Sequence, residues 1–137
     1  MSARTKARKR ALDVIFSADV RGRPLPDALA EESRRAAGEP ERSASWAYAA
    51  DIVRGVIEHA EEIDETIATF AQDWPIARMP AVDRALLRIG VWEILYNPDV
   101  PDAVAIAEAV DAAGIYATED SARFINGVLG RVAASRS

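Results

Sequence analysis

The sequence predicts an all-α protein of about seven helices. Apolar residues recur at helical rather than alternating spacing, and the helix-favouring residues Ala, Leu, Glu and Arg are abundant. Gly and Pro residues stand between the periodic segments and mark their ends. At 137 residues, the chain is long enough for one modest domain or for two small halves that share a core.

The first two helices are delimited by glycine and proline. The first is predicted from about Ala3 to Val20, and it stops at Gly22, with prolines in the turn beyond. The second is more polar, covers about Pro26 to Ala37 and ends at Gly38. These signals predict a helical pair joined by a short turn.

The third and fourth helices are predicted from caps and apolar stripes. Ser43 or Ser45 can cap a third helix that continues to about His59. The fourth helix ends before Pro75, because a proline disfavours helical geometry in the preceding residue. The apolar stripes of these two helices are Trp46, Ala49, Ile52, Val53, Val56 and Ile57, followed by Ile63, Ile67, Phe70 and Trp74.

The last three helices include the predicted centre of the fold. Pro80 suits the first turn of a fifth helix that reaches Tyr96, and its apolar residues cover most of its circumference, so it needs neighbours on several sides. A sixth helix is predicted from about Asp102 to Ala113, with Gly114 as its terminator. Thr118 is a plausible N-cap for the seventh, which runs to about Ala134.

The composition excludes several classes of protein. Without cysteine there is no disulfide framework, thiol nucleophile or cysteine-based metal site, and nothing indicates an oxidising compartment. No stretch reaches membrane-spanning length, since the most apolar segment, residues 85–96, carries Arg88 and Glu93. We therefore expect a cytoplasmic protein without a membrane partner.

Positive charge is concentrated in the first ten residues. This segment, here called the basic arm, holds Arg4, Lys6, Arg8, Lys9 and Arg10, whereas the remaining chain has 12 basic against 22 acidic residues. Such cations at the positive pole of a helix dipole are locally unfavourable, so something negative should compensate them. Nucleic-acid binding is one interpretation, and a frayed, solubilising terminus is the other.

Phe16 also has two interpretations. It projects beside the Lys9 stripe of the first helix, where an exposed ring could stack on a base while nearby cations hold phosphates. Alternatively, Leu12, Phe16 and Val20 form a second buried stripe. The spacing alone leaves both open.

Catalytic signals are weak throughout the sequence. His59 is the only histidine and lacks a metal-binding pattern, and the acidic cluster of Glu61, Glu62, Asp64 and Glu65 lacks the spacing of a calcium loop. No phosphate-cradling glycine motif occurs. The sequence therefore predicts no enzyme activity, no catalytic residue, no bound metal and no cofactor.

Four segments, in order, resemble the NusB family of bacterial transcription antitermination factors, actinobacterial members in particular. They are the basic first helix, the stretch P-A-V-D-R-A-L-L-R-I from residue 80, the turn D-V-P at 99–101 leading to Ala109-Val110, and F-I-N-G-V-L at 124–129. The resemblance extends over essentially the whole chain. It implies a single domain of two small packed helical bundles, about residues 1–60 and 61–137.

The resemblance also implies a function and a set of RNA-binding residues. Family members bind the boxA element of ribosomal RNA transcripts as single-stranded RNA, together with ribosomal protein NusE, other antitermination factors and RNA polymerase. They occur as monomers and homodimers and perform no chemistry. Carried over by position, the RNA-binding residues are Arg4, Lys6, Arg8, Lys9, Arg10, Phe16, Asp83, Arg84, Asp120, Ser121, Arg123 and Phe124.

Two other functions compete with this one. The basic helix could dock an acidic partner or a second copy of the chain, with incidental RNA contact. The RNA-binding part of a ribosomal RNA cytosine methyltransferase shares the fold, but this chain has no cysteine and no cofactor-binding domain. The predicted function is therefore a non-enzymatic RNA-binding adaptor.

Overall fold

The computed structural model describes residues 2–136, and within them seven α-helices and one short 3-10 turn account for the regular structure. The all-α prediction is confirmed. The 3-10 turn covers Ile76–Arg78. The helices are α1 (Ala3–Arg21), α2 (Leu25–Ala37), α3 (Pro40–Glu58), α4 (Ala60–Phe70), α5 (Ala81–Tyr96), α6 (Asp102–Tyr116) and α7 (Glu119–Ser135).

The helices pack in two groups around α5. In the first half α1, α2 and α3 contact one another, and in the second half α4, α6 and α7 pack on α5. Both α1 and α3 also pack on α5, so the buried apolar residues form one continuous core. The expected central position of α5 is confirmed by its ten buried residues, two of which are the acidic Asp83 and Glu93.

Two predicted helix ends are correct in detail. Gly22 follows α1 in the left-handed conformation, with φ of 63°, and its backbone N–H donates to the carbonyls of Ala18 and Asp19. Thr118 caps α7, because its hydroxyl accepts a hydrogen bond from the backbone N–H of Ser121 at 2.9 Å. Local sequence signals predict these two ends correctly because each end depends on one residue, Gly22 or Thr118, and not on tertiary packing.

Three other predicted ends are wrong. Pro40, rather than a residue after Ser43 or Ser45, begins α3, since proline has no N–H to leave unpaired in a first turn. The fourth helix stops at Phe70, so Trp74 lies in the turn before Pro75. Gly114 does not terminate α6, which continues to Tyr116.

Close helix packing at α5 depends on small residues. A Cβ added to Gly55 would lie 1.8 Å from Nε1 of Trp92, and one added to Gly90 would lie 2.6 Å from Cδ1 of Leu129. The absent side chains therefore let α3 and α7 approach the central helix. This arrangement brings the C-terminal end of α5 beneath the basic arm and its N-terminal end beside α7.

Candidate nucleic-acid interface

The basic arm is the first part of a regular helix. Ser2 caps it, because its hydroxyl accepts a hydrogen bond from the backbone N–H of Thr5 at 3.0 Å. The hydroxyl of Thr5 in turn donates to Oε1 of Glu108 at 2.7 Å, which ties α1 to α6. No acidic residue lies in the first turn of α1, so the negative charge that compensates the arm lies elsewhere in the protein.

That charge comes from two carboxylates beneath Arg8, the buried Glu93 and the half-buried Glu108. Nε of Arg8 lies 3.0 Å from both carboxylate oxygens of Glu93, and Nη1 lies 3.2 Å from Oε1 of Glu108. The hydroxyl of Tyr48 donates to Glu93 and accepts from the amide of Asn97 at 3.1 Å. The compensation of Arg8 is therefore internal to the protein.

Burial and pairing act in opposite directions on this network. Burial alone would lower the pKa of the Arg8 guanidinium, but its hydrogen bond to Glu93 and the surrounding charges outweigh this effect and raise the pKa. Burial, followed by the hydrogen bond to Glu93, raises the pKa of the Tyr48 hydroxyl. Arg8 is thus held as a cation and Tyr48 as a neutral donor. Only 9% of Arg8 is exposed, so its charge is taken up inside the protein, and its contact with RNA stays a prediction.

Within residues 2–136, the other four cations of the arm form no ion pair with Glu93 or Glu108. The Arg4 guanidinium lies 4.3 Å from the centre of the Tyr48 ring. Lys6 is exposed, and Nζ of Lys9 is 2.6 Å from the Asp13 carboxylate. Arg10 is half-buried and faces α2. Of these cations, Arg4, Lys6 and Arg10 have no ion-pair partner within residues 2–136, and Lys9 alone pairs with a carboxylate.

Phe16 lies on the solvent side of α1. Its side chain is 37% exposed, whereas Leu12, one turn earlier, is 4% exposed and belongs to the core. The exposed interpretation of Phe16 is confirmed and the continuous buried stripe is wrong, because Val20 is exposed as well. An exposed ring beside Lys9 can stack on a base, and its contact with RNA stays a prediction.

Asp83 and Arg84, at the start of α5, are engaged inside the protein. Asp83 is fully buried and accepts a hydrogen bond from the Ser121 hydroxyl at 3.0 Å. Arg84 donates to Asp19 at 2.9 Å and to backbone carbonyls at Ile76 and Met79. These two side chains connect α5 to α7, to the last turn of α1 and to the 3-10 turn, and their contact with RNA stays a prediction.

Asp83 has one unsatisfied atom. Its Oδ2 is buried and has no hydrogen-bond partner among the described residues. Burial raises the pKa of this carboxyl, and the hydrogen bond from Ser121 opposes the rise without cancelling it. Burial of the ionised Asp83 carboxylate is therefore energetically unfavourable where the start of α5 contacts α7.

The start of α7 has an inner and an outer side. Ser121 is 7% exposed and points inward to Asp83. Asp120 and Arg123 form an exposed ion pair with each other. Phe124 is half-buried and packs edge-on against Trp74, with ring centres 4.8 Å apart. Of the four predicted residues here, Ser121 is thus internal and the other three reach the surface.

Tyr116 was missed by the sequence reasoning. Its ring is 39% exposed, and Nζ of Lys9 lies 4.8 Å from the ring centre. The continuation of α6 beyond Gly114 to Tyr116 brings this ring to the basic arm. An exposed aromatic residue in the last turn of a helix was the available signal, and the expected stop at Gly114 concealed it.

The exposed positions lie in two places, along α1 beside Tyr116 and at the start of α7. Internal contacts of Asp19, Arg84 and Asp83 connect these two places through α5. A model of the NusB family matches residues 5–134 of the chain. The chain belongs to the NusB family.

Relatives within the NusB family are similar over their full length. The transcription antitermination protein NusB of Leifsonia xyli subsp. xyli is 65% identical over 99% of this chain and 94% of its own length. That of Clavibacter sepedonicus is 61% identical over 100% of both chains. The actinobacterial resemblance is therefore confirmed.

Solved NusB structures share the fold. NusB from T. maritima superposes with a TM-score of 0.79 at 29% identity, covering 96% of this chain and 90% of that one. NusB in a complex of the antitermination factors NusB and NusE with dsRNA gives a TM-score of 0.83 at 29% identity and 98% coverage of both chains.

No helix described here is both long and apolar enough to cross a membrane.

Proposed function

We propose that this chain is a transcription antitermination factor that binds the boxA element of ribosomal RNA transcripts together with NusE. The observation that carries the proposal is the full-length similarity to a NusB solved with NusE and RNA. We extend it to other antitermination factors and RNA polymerase as partners, to a cytoplasmic location and to the whole chain as one RNA-binding domain. The chain acts by binding and performs no catalysis.

The exposed side of α1 supplies the first part of the proposed RNA site. Arg4, Lys6, Lys9 and Arg10 hold phosphates, and Phe16 stacks on a base. The chain has a formal charge of −5, and this acidic background limits binding of RNA elsewhere on the surface. Affinity is thereby concentrated at one end of the molecule.

The start of α7 supplies the second part. Arg123 meets a phosphate, Asp120 orients that arginine, and Phe124 offers the edge of an aromatic ring. Arg8, Asp83, Arg84 and Ser121 act as positioning residues that hold the two parts together. This assignment separates residues that touch RNA from those that shape the surface.

Fluorescence anisotropy at near-physiological salt tests the proposal. A boxA-type single-stranded RNA is compared with a scrambled strand of equal length, each with and without NusE. We expect preference for the boxA strand and a further increase in affinity when NusE is present. Equal, weak binding of both strands under every condition would overturn the function.

A second candidate function is a protein–protein or homodimerisation module with incidental RNA binding. Two large apolar side chains favour it, because Val20 is 60% exposed and Ile115 is 67% exposed near the proposed RNA surface. Analytical size-exclusion chromatography with and without boxA-type RNA separates the two functions. A stable dimer that RNA cannot dissociate or bind would favour this second function.

A further inference from the structure

A second basic surface lies on the opposite flank of α1 from Arg8. It is a cleft of about 550 Å³ between α1, α2 and the start of α3, with Trp46 among its lining residues. This surface, here called the arginine cleft, is lined by Arg10, Arg21, Arg23, Arg35 and Arg42. One third of the arginines in an acidic protein therefore face a single cleft.

Carboxylates already engage three of these arginines. Arg23 lies 2.5 Å from Glu31, Arg35 lies 3.0 Å from Glu32, and Arg42 pairs with Glu39 at 2.8 Å. The hydrogen bond and charge of Arg23 lower the pKa of Glu31 and keep it ionised. The pairs are exposed, so they fix the side chains near the cleft without removing them from solvent.

The remaining two arginines are free. Within the described part of the chain, neither Arg10 nor Arg21 makes an ion pair or a hydrogen bond to a side chain. They lie eleven residues apart on one flank of α1, about 16 Å along the helix axis, with Ser17 between them. The same flank of α1 thus presents two unpaired guanidinium groups to the cleft.

We infer that the arginine cleft binds the sugar–phosphate backbone of RNA that extends beyond the segment held by the basic arm. The inference rests on the proposed RNA binding. Arg10 belongs to both surfaces, so a strand leaving the arm can pass directly onto the cleft. Guanidinium groups bind phosphates in a bidentate manner and read no sequence, so the tail contributes affinity rather than specificity.

The carboxylates in the cleft favour a long polyanion over a small one. Asp13, Glu31 and Glu32 also line it, so five cations face three anions. A single phosphate ion should bind weakly in the cleft, because the carboxylates offset much of its attraction to the arginines. A strand already bound at the arm places successive phosphates near Arg10 and Arg21 at a high effective concentration, so it should bind more tightly. The cleft therefore acts on flanking RNA.

The experiment compares three RNAs over a range of salt concentrations. One is a short boxA-type strand, and the other two are the same strand with an unrelated tail at its 5′ end or at its 3′ end. For the unmodified chain we expect one tail to steepen the log–log salt dependence of binding by about 0.7 for each phosphate neutralised. Arg21→Ala should remove about 0.7 of that gain and leave binding of the short strand unchanged.

Arg34→Ala is the matched control. Arg34 is exposed, lies in the last turn of α2 as Arg21 does in α1, and does not line the cleft. Its removal changes the net charge equally and should leave the tail effect intact. Equal losses in the two variants would indicate a general electrostatic effect and overturn the inference.

The outcomes distinguish the inference from the proposed function. If the short strand binds specifically and neither tail steepens the salt dependence, the cleft assignment is wrong while the proposed function stands. If the short strand shows no preference over a scrambled one, the proposed function itself fails. Binding of a polyglutamate peptide that exceeds the tail effect and disappears in Arg21→Ala would assign the cleft to an acidic protein segment and overturn the inference.

Discussion

Arg8 and Arg10 stand two residues apart on α1, and the protein surrounds them in opposite ways. Arg8 turns towards α5, where Glu93 binds it through both carboxylate oxygens and Glu108 adds a second carboxylate. Arg10 turns towards α2 and keeps its charge unpaired. One basic segment thus contains a structural cation and a cation available to a ligand.

The difference shows how a helix separates functions by angle. Successive residues are rotated by about 100°, so Arg8 and Arg10 lie about 160° apart on opposite sides of the buried face marked by Ala7 and Ala11. Arg8 also adjoins the buried Leu12, and Arg10 does not. A run of basic residues therefore cannot act as a single electrostatic unit. Stability and ligand binding should respond to different substitutions within the same ten residues.

The largest expected effect is a loss of stability on breaking the buried pair. Glu93→Gln leaves the Arg8 cation largely desolvated without its main partner, and removal of one member of a buried pair typically costs about 3–5 kcal/mol. Urea unfolding of the two chains measures this difference in free energy.

Glu108→Gln is the control for that prediction. Glu108 also pairs with Arg8, but 23% of its side chain is exposed, so water can replace it and the loss should stay below about 1 kcal/mol. Similar losses in the two variants would show that burial does not distinguish the two carboxylates.

A smaller effect is expected on the outer side of α1, and it should appear in binding rather than in stability. Phe16→Ala removes the exposed ring and should weaken binding of boxA-type RNA by about 1–3 kcal/mol. Val20→Ala, one turn later, removes an exposed apolar group that cannot stack and should leave the affinity unchanged. Anisotropy titrations and thermal unfolding of both variants test this, and unchanged affinity in Phe16→Ala would remove Phe16 from the RNA site.

The sequence was sufficient for the fold and for part of the candidate site. Helical periodicity, Gly22 and Thr118 act locally, so they could be interpreted without knowledge of tertiary packing. The burial of Arg8 and Asp83 could not be predicted in this way, because their partners Glu93 and Ser121 lie 85 and 38 residues away in sequence. Residue type alone predicts that a charged side chain is exposed. Contacts between residues distant in sequence determine which charged side chains are exposed in the folded protein.

Gly114 is a second position at which the local signal differs from the folded structure. A glycine at the end of an apolar repeat predicts a left-handed terminator, but only Gly22 adopts positive φ within residues 2–136. Gly114 instead continues α6 as an ordinary helical residue with no atom near its missing side chain. The position of Tyr116 beside Lys9 depends on that continuation, so an error in one helix end concealed a residue of the candidate surface.

The smallest expected effect concerns Asp83 and depends on pH. Because burial raises the pKa of this carboxyl, the folded state binds a proton that the unfolded state has already lost as pH rises above the ordinary value of 3.8. The contribution of Asp83 to the free energy of unfolding is therefore full below pH 3.8 and is lost as the pH rises through the pKa of the folded state. Asp83→Asn keeps an acceptor for Ser121 and cannot ionise, so its melting temperature relative to the unmodified chain should be higher at pH 7 than at pH 4. Thermal unfolding at both pH values measures this difference, and a relative melting temperature that is constant or falls with pH would show that the buried carboxyl carries no electrostatic cost.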